Sequence, residues 1–229
     1  MKLKILPIIV LSLFSNKIIS QEIEDVNPKG KTFFGVEIGT NHINSFDAGG
    51  NKSSFQAGVL GEYYFARHWS VSGRFKYFET GVSFYQPNEG GWFGDEEHSG
   101  TFKGEVIAIP IDLKWEFRVS ENLGAGLKLG AAPTMETKSN YSNYSNNISK
   151  SEQPYYIAFN YGIGLNYFIN KETAVYIDYE GYVGQSKGHY PGFMGGTYYY
   201  AENALLNFGI KYTFEEDKKS EQSTDSDTD

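Results

Sequence analysis

Residues 105–117 read EVIAIPIDLKWEF, and every second residue from Ile107 onward is apolar. Successive side chains of an extended chain point to opposite faces, so the apolar residues share one face, and Asp112, Lys114 and Glu116 share the other. Pro110 lies on the charged face and cannot donate a ladder hydrogen bond, so we expect a local bulge or a water-bound carbonyl there. The pattern predicts a strand of either a soluble sheet or a membrane barrel.

The N-terminus predicts an exported protein. Lys2 and Lys4 precede a short apolar run, and small Ser20 suggests cleavage before Gln21, so residues 1–20 are interpreted as a signal peptide outside the fold. Residues 21–30 are predicted to be a periplasmic linker, residues 31–214 the barrel, and residues 215–229 an acidic, disordered periplasmic tail.

The composition narrows the class further. The chain has no cysteine, so an exported protein of this kind uses neither disulfides nor an acylated cysteine. No later stretch has the roughly 20 consecutive apolar residues of a membrane-spanning helix, so the protein is either soluble or crosses a membrane as strands. The formal charge of −8 disfavours nucleic acid as a partner.

Alternation predicts eight antiparallel strands with unequal connections. They are residues 31–41, 53–66, 69–84, 105–117, 123–135, 155–168, 173–184 and 199–214. Connections after the second, fourth and sixth strands are tight, whereas the other connections are long and polar. Short turns at one rim and long loops at the other are typical of an eight-stranded up-and-down outer-membrane barrel with periplasmic turns and extracellular loops.

The strands share a charged face. Its members are Glu37, Glu62, Arg74, Lys76, Asp112, Lys114, Glu116, Lys128, Asp178, Glu180 and Lys211, interleaved with Gly35, Gly58, Gly124, Gly126, Gly130, Gly162, Gly164 and Gly209. Glycines opposite long charged side chains fit a narrow lumen, which eight strands leave just wide enough for side chains to fill. We therefore expect these charges to pair inside the barrel. A soluble lipocalin-like carrier, with the charges in water, is the remaining alternative for the fold.

Aromatic residues group near both strand ends, as in the two interfacial belts of membrane barrels. At the short-turn ends these are Trp69, Trp115, Phe117, Tyr167, Tyr212 and Phe214, and near the long loops they are Tyr77, Tyr155, Tyr198 and Tyr199.

Four segments, IPIDLKWEF, LGAGLKLGAAP, IGLNYFINKETAVYIDYEG and NFGIKYTF, together resemble the PorT-like outer-membrane β-barrel family of the Bacteroidetes. The resemblance covers residues 31–214 and rests on strand patterns. It implies a small barrel whose last strand ends in an aromatic residue, here Phe214, that the barrel-assembly machinery reads. It implies no particular activity.

The residues contain no recognisable catalytic or metal-binding motif. His42, His98 and His189 are predicted in long loops of one rim, near Asp47, Asp95, Glu96 and Glu97. Because their spacing matches no ligand set, no catalytic residue, metal or cofactor is predicted. An outer-membrane-embedded hydrolase at the loop rim remains the alternative function.

The loop around Trp92 and Phe93 is the better binding candidate, together with His98. Exposed aromatics between glycines are costly unless they meet a partner protein, a glycan or lipopolysaccharide, although the loop could instead fold over the barrel mouth. Tyr64, Phe78 and Tyr176 would help to fill the lumen, so no sizeable conductance is expected. The predicted function is a structural, binding or accessory-subunit role in the envelope, in contact with outer-membrane lipid and possibly within a larger protein complex.

Overall fold

The computed structural model describes residues 27–44, 52–86, 98–146, 148–150, 152–190 and 197–214. Regular structure in these ranges is β-strand throughout. None of the described residues belongs to a helix of the length and apolarity needed to cross a membrane.

The strands are β1 (Thr32–Asn44), β2 (Lys52–Ala66), β3 (Trp69–Gln86), β4 (His98–Ala108), β5 (Ile111–Arg118), β6 (Leu123–Ser142), β7 (Ser149–Lys150), β8 (Tyr155–Phe168), β9 (Thr173–Tyr190) and β10 (Thr197–Thr213). Neighbouring strands pair antiparallel, and β10 pairs with both β9 and β1, which closes the sheet on itself. β4 and β5 share one place in the wall, between β3 and β6. The wall therefore has eight strand positions, and the predicted all-β antiparallel barrel is confirmed.

The fourth predicted strand differs from the observed one. It begins at His98 instead of residue 105 and is divided at residues 109–110 into β4 and β5. The register against β3 is the same on both sides of this division: Ala108 lies opposite Lys76, and Ile111 lies opposite Gly73.

The expectation of a bulge or a water-bound carbonyl at Pro110 is wrong. Its carbonyl accepts a hydrogen bond of 3.0 Å from the backbone N–H of Arg74. The register shift of this region lies instead between Glu105 and Val106, in the pairing with β6. Proline removes one donor, but its fixed φ is compatible with extended backbone, so the ladder continues past it.

Several strands extend further toward the long connections than the sequence indicated. β1 reaches Asn44, β6 reaches Ser142 and β9 reaches Tyr190. Apolar alternation is a signal of lipid contact and ends with the hydrocarbon layer, whereas ladder hydrogen bonds form equally well above it. The three histidines expected in loops consequently lie in strands: His42 in β1, His98 in β4 and His189 in β9.

The two faces of the wall are oppositely composed. Apolar side chains point outward and are well exposed, for example Ile157 at 72% and Val36 at 57%. Charged side chains point inward and are buried. This orientation is the inverse of a soluble barrel, so the lipocalin-like alternative is wrong.

Candidate functional site: the barrel interior and its extracellular end

The structure places all eleven charges of the lumen set inside the barrel, each exposed by 5% or less. Inward positions of different strands meet across the narrow lumen, which brings together residues far apart in the chain. Burial of so many ions is stable only when each carboxylate contacts a cation.

The buried charges form two groups, and Arg74 is the centre of the group that lies farther from the short turns. Its guanidinium lies 2.8 Å from Asp178, 3.1 Å from Glu180, 3.4 Å from Asp112 and 3.5 Å from Glu37. One planar cation with five N–H donors thus contacts four carboxylates on three strands, β1, β5 and β9. We call these residues, with the two lysines described next, the central cluster.

Two lysines complete the central cluster. Lys76 Nζ lies 2.6 Å from Glu37 and 2.7 Å from Glu180. Lys128 Nζ lies 2.7 Å from Asp178 and also contacts Glu180. Every carboxylate of the cluster therefore contacts at least one cation.

A second group lies nearer the short turns. Lys114 Nζ is 3.1 Å from both Glu62 and Glu116. Lys211 Nζ is 2.5 Å from Glu62 and donates to the Tyr64 hydroxyl, which in turn donates to Glu116 over 3.1 Å. Two acids and two bases are balanced here.

Inward glycines give these side chains their space. A Cβ atom at Gly164 would lie 1.9 Å from a carboxylate oxygen of Asp178. At Gly130 it would lie 2.1 Å from the carbonyl oxygen of Ile111 and 2.5 Å from Asp112. Neither position accepts a side chain without moving the wall or the ion-paired carboxylate.

A further ion pair was missed by the sequence analysis. Glu136 and Lys187 are 8% and 0% exposed and contact each other inside the outer half of the barrel. Lys187 Nζ also lies 4.8 Å from the ring centroid of Phe102 and 5.0 Å from that of Tyr156. Because β6 and β9 were predicted to end at 135 and 184, both residues were assigned to loops. Ala132 points inward, and Glu136 follows it by four residues, so continuing the alternation past residue 135 would have placed Glu136 on the inward face.

The extracellular end is filled by an apolar group that we call the outer cap. It consists of Val82, Phe84, Phe102 and Ile148, packed against Tyr141, Tyr144 and Tyr199. Phe84 stacks in parallel on Tyr199 with a centroid distance of 3.7 Å, and Tyr144 meets Phe84 edge-on at 5.8 Å. Tyr199, expected in the outer belt, thus points inward, whereas its neighbours Tyr198 and Tyr200 point outward and are 52% and 44% exposed. Tyr199 has the same parity in β10 as the buried residues Ala201 and Leu205, so alternation along the strand accounts for its inward direction.

Part of the connection between β6 and β8 closes over the outer cap. We call residues 143–146 and 148–150 the cap segment. The Tyr144 hydroxyl donates 2.9 Å to the carbonyl of Lys187, and the Ser145 N–H donates 3.0 Å to the carbonyl of Ser99. Burial raises the pKa of Tyr144, so its hydroxyl keeps the donated proton.

The periplasmic end is filled as well. Phe33, Tyr64, Phe168 and Ala174 form a buried cluster there. The guanidinium carbon of Arg118 lies 4.2 Å from the ring centroid of Phe168. Aromatic packing therefore occupies the lumen both above and below the charges.

The rim candidates are only partly described. Trp92 and Phe93 lie outside the described residues, as do Asp47, Asp95, Glu96 and Glu97. His98 pairs with Gln86 across β3 and β4, and His189 stacks on Tyr198 at a centroid distance of 4.3 Å. Within the described ranges no three His, Cys, Asp or Glu side chains are grouped in a way that could hold a metal ion.

Phe214 is the last described residue. It is 73% exposed and meets Tyr212 edge-on at 5.1 Å. Its recognition by the assembly machinery stays a prediction.

Comparison with known proteins places the chain in a family. The profile of the outer membrane protein beta-barrel domain matches residues 25–214. Ail, the attachment invasion locus protein of Yersinia pestis, is 14% identical, with 81% of this chain and 99% of that chain covered and a TM-score of 0.48. OprG from Pseudomonas aeruginosa is 14% identical, with 84% and 100% covered and a TM-score of 0.49. For Neisserial surface protein A the identity is 11%, the coverage 80% and 97%, and the TM-score 0.47.

No curated protein matches the sequence. The family profile, however, spans most of the chain and all of the strands described above. The chain therefore belongs to the outer membrane protein beta-barrel domain family and is a β-barrel of the Gram-negative outer membrane.

Proposed function

We propose that this chain is a closed outer-membrane barrel that acts by binding at its extracellular end, as a free-standing envelope protein or as an accessory subunit of a larger complex. The observation that carries the proposal is the filled interior. Ion-paired charges occupy the middle of the lumen, and aromatic clusters occupy both ends. A barrel whose lumen is filled by its own described side chains offers its surfaces, instead of its lumen, for function.

The filled interior leads to an electrical test. A hydrated ion would have to displace the outer cap, the paired charges and the periplasmic cluster in turn, so we expect no sizeable conductance of the purified protein in planar bilayers. Stable, large single-channel steps would contradict the proposal. Bilayers that receive detergent alone serve as the control.

The extracellular end offers a preorganised surface. The cap segment is tied to β4 and β9 by backbone hydrogen bonds, and β7 pairs with the outer end of β9. A tied segment loses less conformational entropy on binding than a free loop does. The loop that contains Trp92 and Phe93 is part of the proposed surface, and aromatic anchors of this kind often carry binding energy.

The partner class can be tested by affinity purification from gently solubilised outer membranes, with the tag on the C-terminal tail. A stoichiometric co-purifying protein is expected, and the double variant Trp92→Ser/Phe93→Ser should reduce its recovery. Val119→Ser, an exposed apolar residue at the opposite end, is the matched control. A protein that purifies alone and shows unchanged contacts of intact cells in the double variant would refute binding through this loop.

An accessory role in a larger complex belongs to the same proposal, and so does membership of the PorT-like barrels, which the four strand segments resemble. The hydrolase alternative receives no comparable support. His98 and His189 lie in β4 and β9, and the acids expected beside them, Asp47, Asp95, Glu96 and Glu97, lie outside the described residues.

A further inference from the structure

The central cluster contains one more acid than it has bases. Its four buried acids face three buried bases: Glu37, Asp112, Asp178 and Glu180 against Arg74, Lys76 and Lys128. Lys114, the next inward residue of β5, lies 3.1 Å from both Glu62 and Glu116, so its charge belongs to the balanced second group. A buried charge without an opposite charge is costly, because the interior solvates ions poorly. One carboxyl group of the cluster therefore needs further compensation.

Asp112 is the acid with the weakest contact to a cation. Within the described part of the chain it has one ion-pair contact, at 3.4 Å from Arg74. The other three carboxylates of the cluster each lie 2.6–2.7 Å from a lysine. Asp112 is itself 0% exposed, so bulk water does not reach it. The excess negative charge of the cluster consequently falls on this residue.

A neutral amide lies closer to Asp112 than the guanidinium does. One terminal atom of the Asn160 side chain is 2.6 Å from Asp112 Oδ1 and 3.3 Å from Oδ2. The amide nitrogen of Asn160 donates to the carbonyl of Gly181 over 3.4 Å, so the atom that faces Asp112 is the amide oxygen. Two oxygens this close need a proton between them, and a carboxylic acid has the O–H donor that a carboxylate lacks.

The surroundings of Asp112 Oδ1 favour a proton over a larger cation. A Cβ atom built at Gly130 would lie 2.5 Å from this oxygen, so the backbone of β6 packs closely against it. The Asn160 oxygen is in contact with the same atom. A bound metal ion would have to separate these groups, whereas a proton fits within the existing hydrogen-bond distance.

Titratable groups face Asp112 from three neighbouring strands, and β8 contributes the neutral Asn160. They are Arg74 and Lys76 on β3, Lys128 on β6, and Asp178, Glu180 and Tyr182 on β9. The Tyr182 hydroxyl donates to Glu180 over 2.9 Å. The three cations are each within 3.1 Å of another carboxylate of the cluster, so none is reserved for Asp112.

We propose that the central cluster binds one proton, which Asp112 holds at neutral pH as a carboxylic acid that donates a hydrogen bond to Asn160 Oδ1. The bound proton leaves three carboxylates against three cations. An aspartic acid in water is ionised at this pH, so the unfolded chain releases the proton and the barrel takes it up on folding. This interior site is separate from the binding end proposed above.

The first test compares the full-length protein with Asp112→Asn by urea titration in lipid vesicles. Asparagine is neutral, has nearly the same shape and can donate to Asn160, so the barrel should keep its stability at about pH 7. Because only the folded unmodified protein retains the proton, its unfolding constant relative to that of Asp112→Asn should rise roughly tenfold for each pH unit between about pH 5 and about pH 7.

Glu121→Gln is the matched control. It makes the same change from carboxyl to amide in an exposed turn residue. Glu121 should be ionised in both the folded and the unfolded protein over this range, so the ratio of its unfolding constant to that of the unmodified protein should not change with pH.

A second measurement needs no variant. Infrared spectroscopy of the unmodified protein at neutral pH, with the aspartate carboxyl carbons labelled with carbon-13, should show the isotope-shifted carbonyl band of a protonated carboxyl group. A pH-independent ratio for Asp112→Asn, or the absence of this band, would overturn the proposal. Asp112 would then be ionised, with the Asn160 amide turned to donate to it.

Discussion

Arg74 shows how a single residue supports the interior of the barrel. Its guanidinium contacts four buried carboxylates. In the variant Arg74→Met these carboxylates retain only Lys76 and Lys128, and leaving buried charge uncompensated costs about 3–5 kcal/mol. We therefore expect a decrease of this size in the free energy of unfolding, measured by urea titration of the protein refolded into lipid vesicles.

Lys29→Met is the control for Arg74. This lysine is exposed in the turn that precedes β1, so its removal should not change the urea midpoint. An equal and small effect of both substitutions would mean that the central cluster does not stabilise the barrel.

The cap segment is an element whose docking depends on few contacts. Tyr144 supplies an edge contact with Phe84 and the hydrogen bond to the Lys187 carbonyl. Tyr144→Ala should therefore speed amide hydrogen exchange in residues 143–150 and leave exchange in the barrel strands unchanged.

The same element should respond to alkaline pH. Because burial raises the pKa of Tyr144, docking is fully stabilised below the ordinary tyrosine pKa of about 10 and weakens as pH rises beyond it. For the substitution Tyr144→Ala, the control variant is Tyr155→Ala, because Tyr155 is 69% exposed and lies outside the cap segment. If amide hydrogen exchange of the cap segment is as slow in Tyr144→Ala as in the unmodified protein, the backbone hydrogen bonds alone hold the segment.

The stability of the whole barrel in a bilayer depends on an outward face without charged residues. Leu129 is outward-facing and 56% exposed, which in water would make its substitution nearly neutral. In a bilayer, Leu129→Lys should instead lower the free energy of unfolding by about 2–4 kcal/mol if the residue lies near the midplane. Refolding into vesicles measures the difference, with Ser120→Lys in a short turn as the control. Equal stability of the two variants would contradict the assignment of this face to lipid.

Much of this architecture follows from alternation. The Ile107 to Phe117 series identifies an outward face, and Glu180 or Lys211 can be assigned to the opposite face, because side-chain direction depends only on parity within one strand. The ladder past Pro110 was not predictable in the same way. It depends on the Arg74 N–H of a neighbouring strand, which local sequence does not specify.

Which side chains contact each other inside the barrel depends on how the sheet closes on itself. Register, stagger and shifts among strands distant in the chain bring Arg74 to Asp178, Glu136 to Lys187 and Tyr199 to Phe84. The class of the protein and the composition of its two faces are local properties and can be read from the sequence. The ion pairs across the lumen and the outer cap are contacts between strands, and they exist only once the wall has closed.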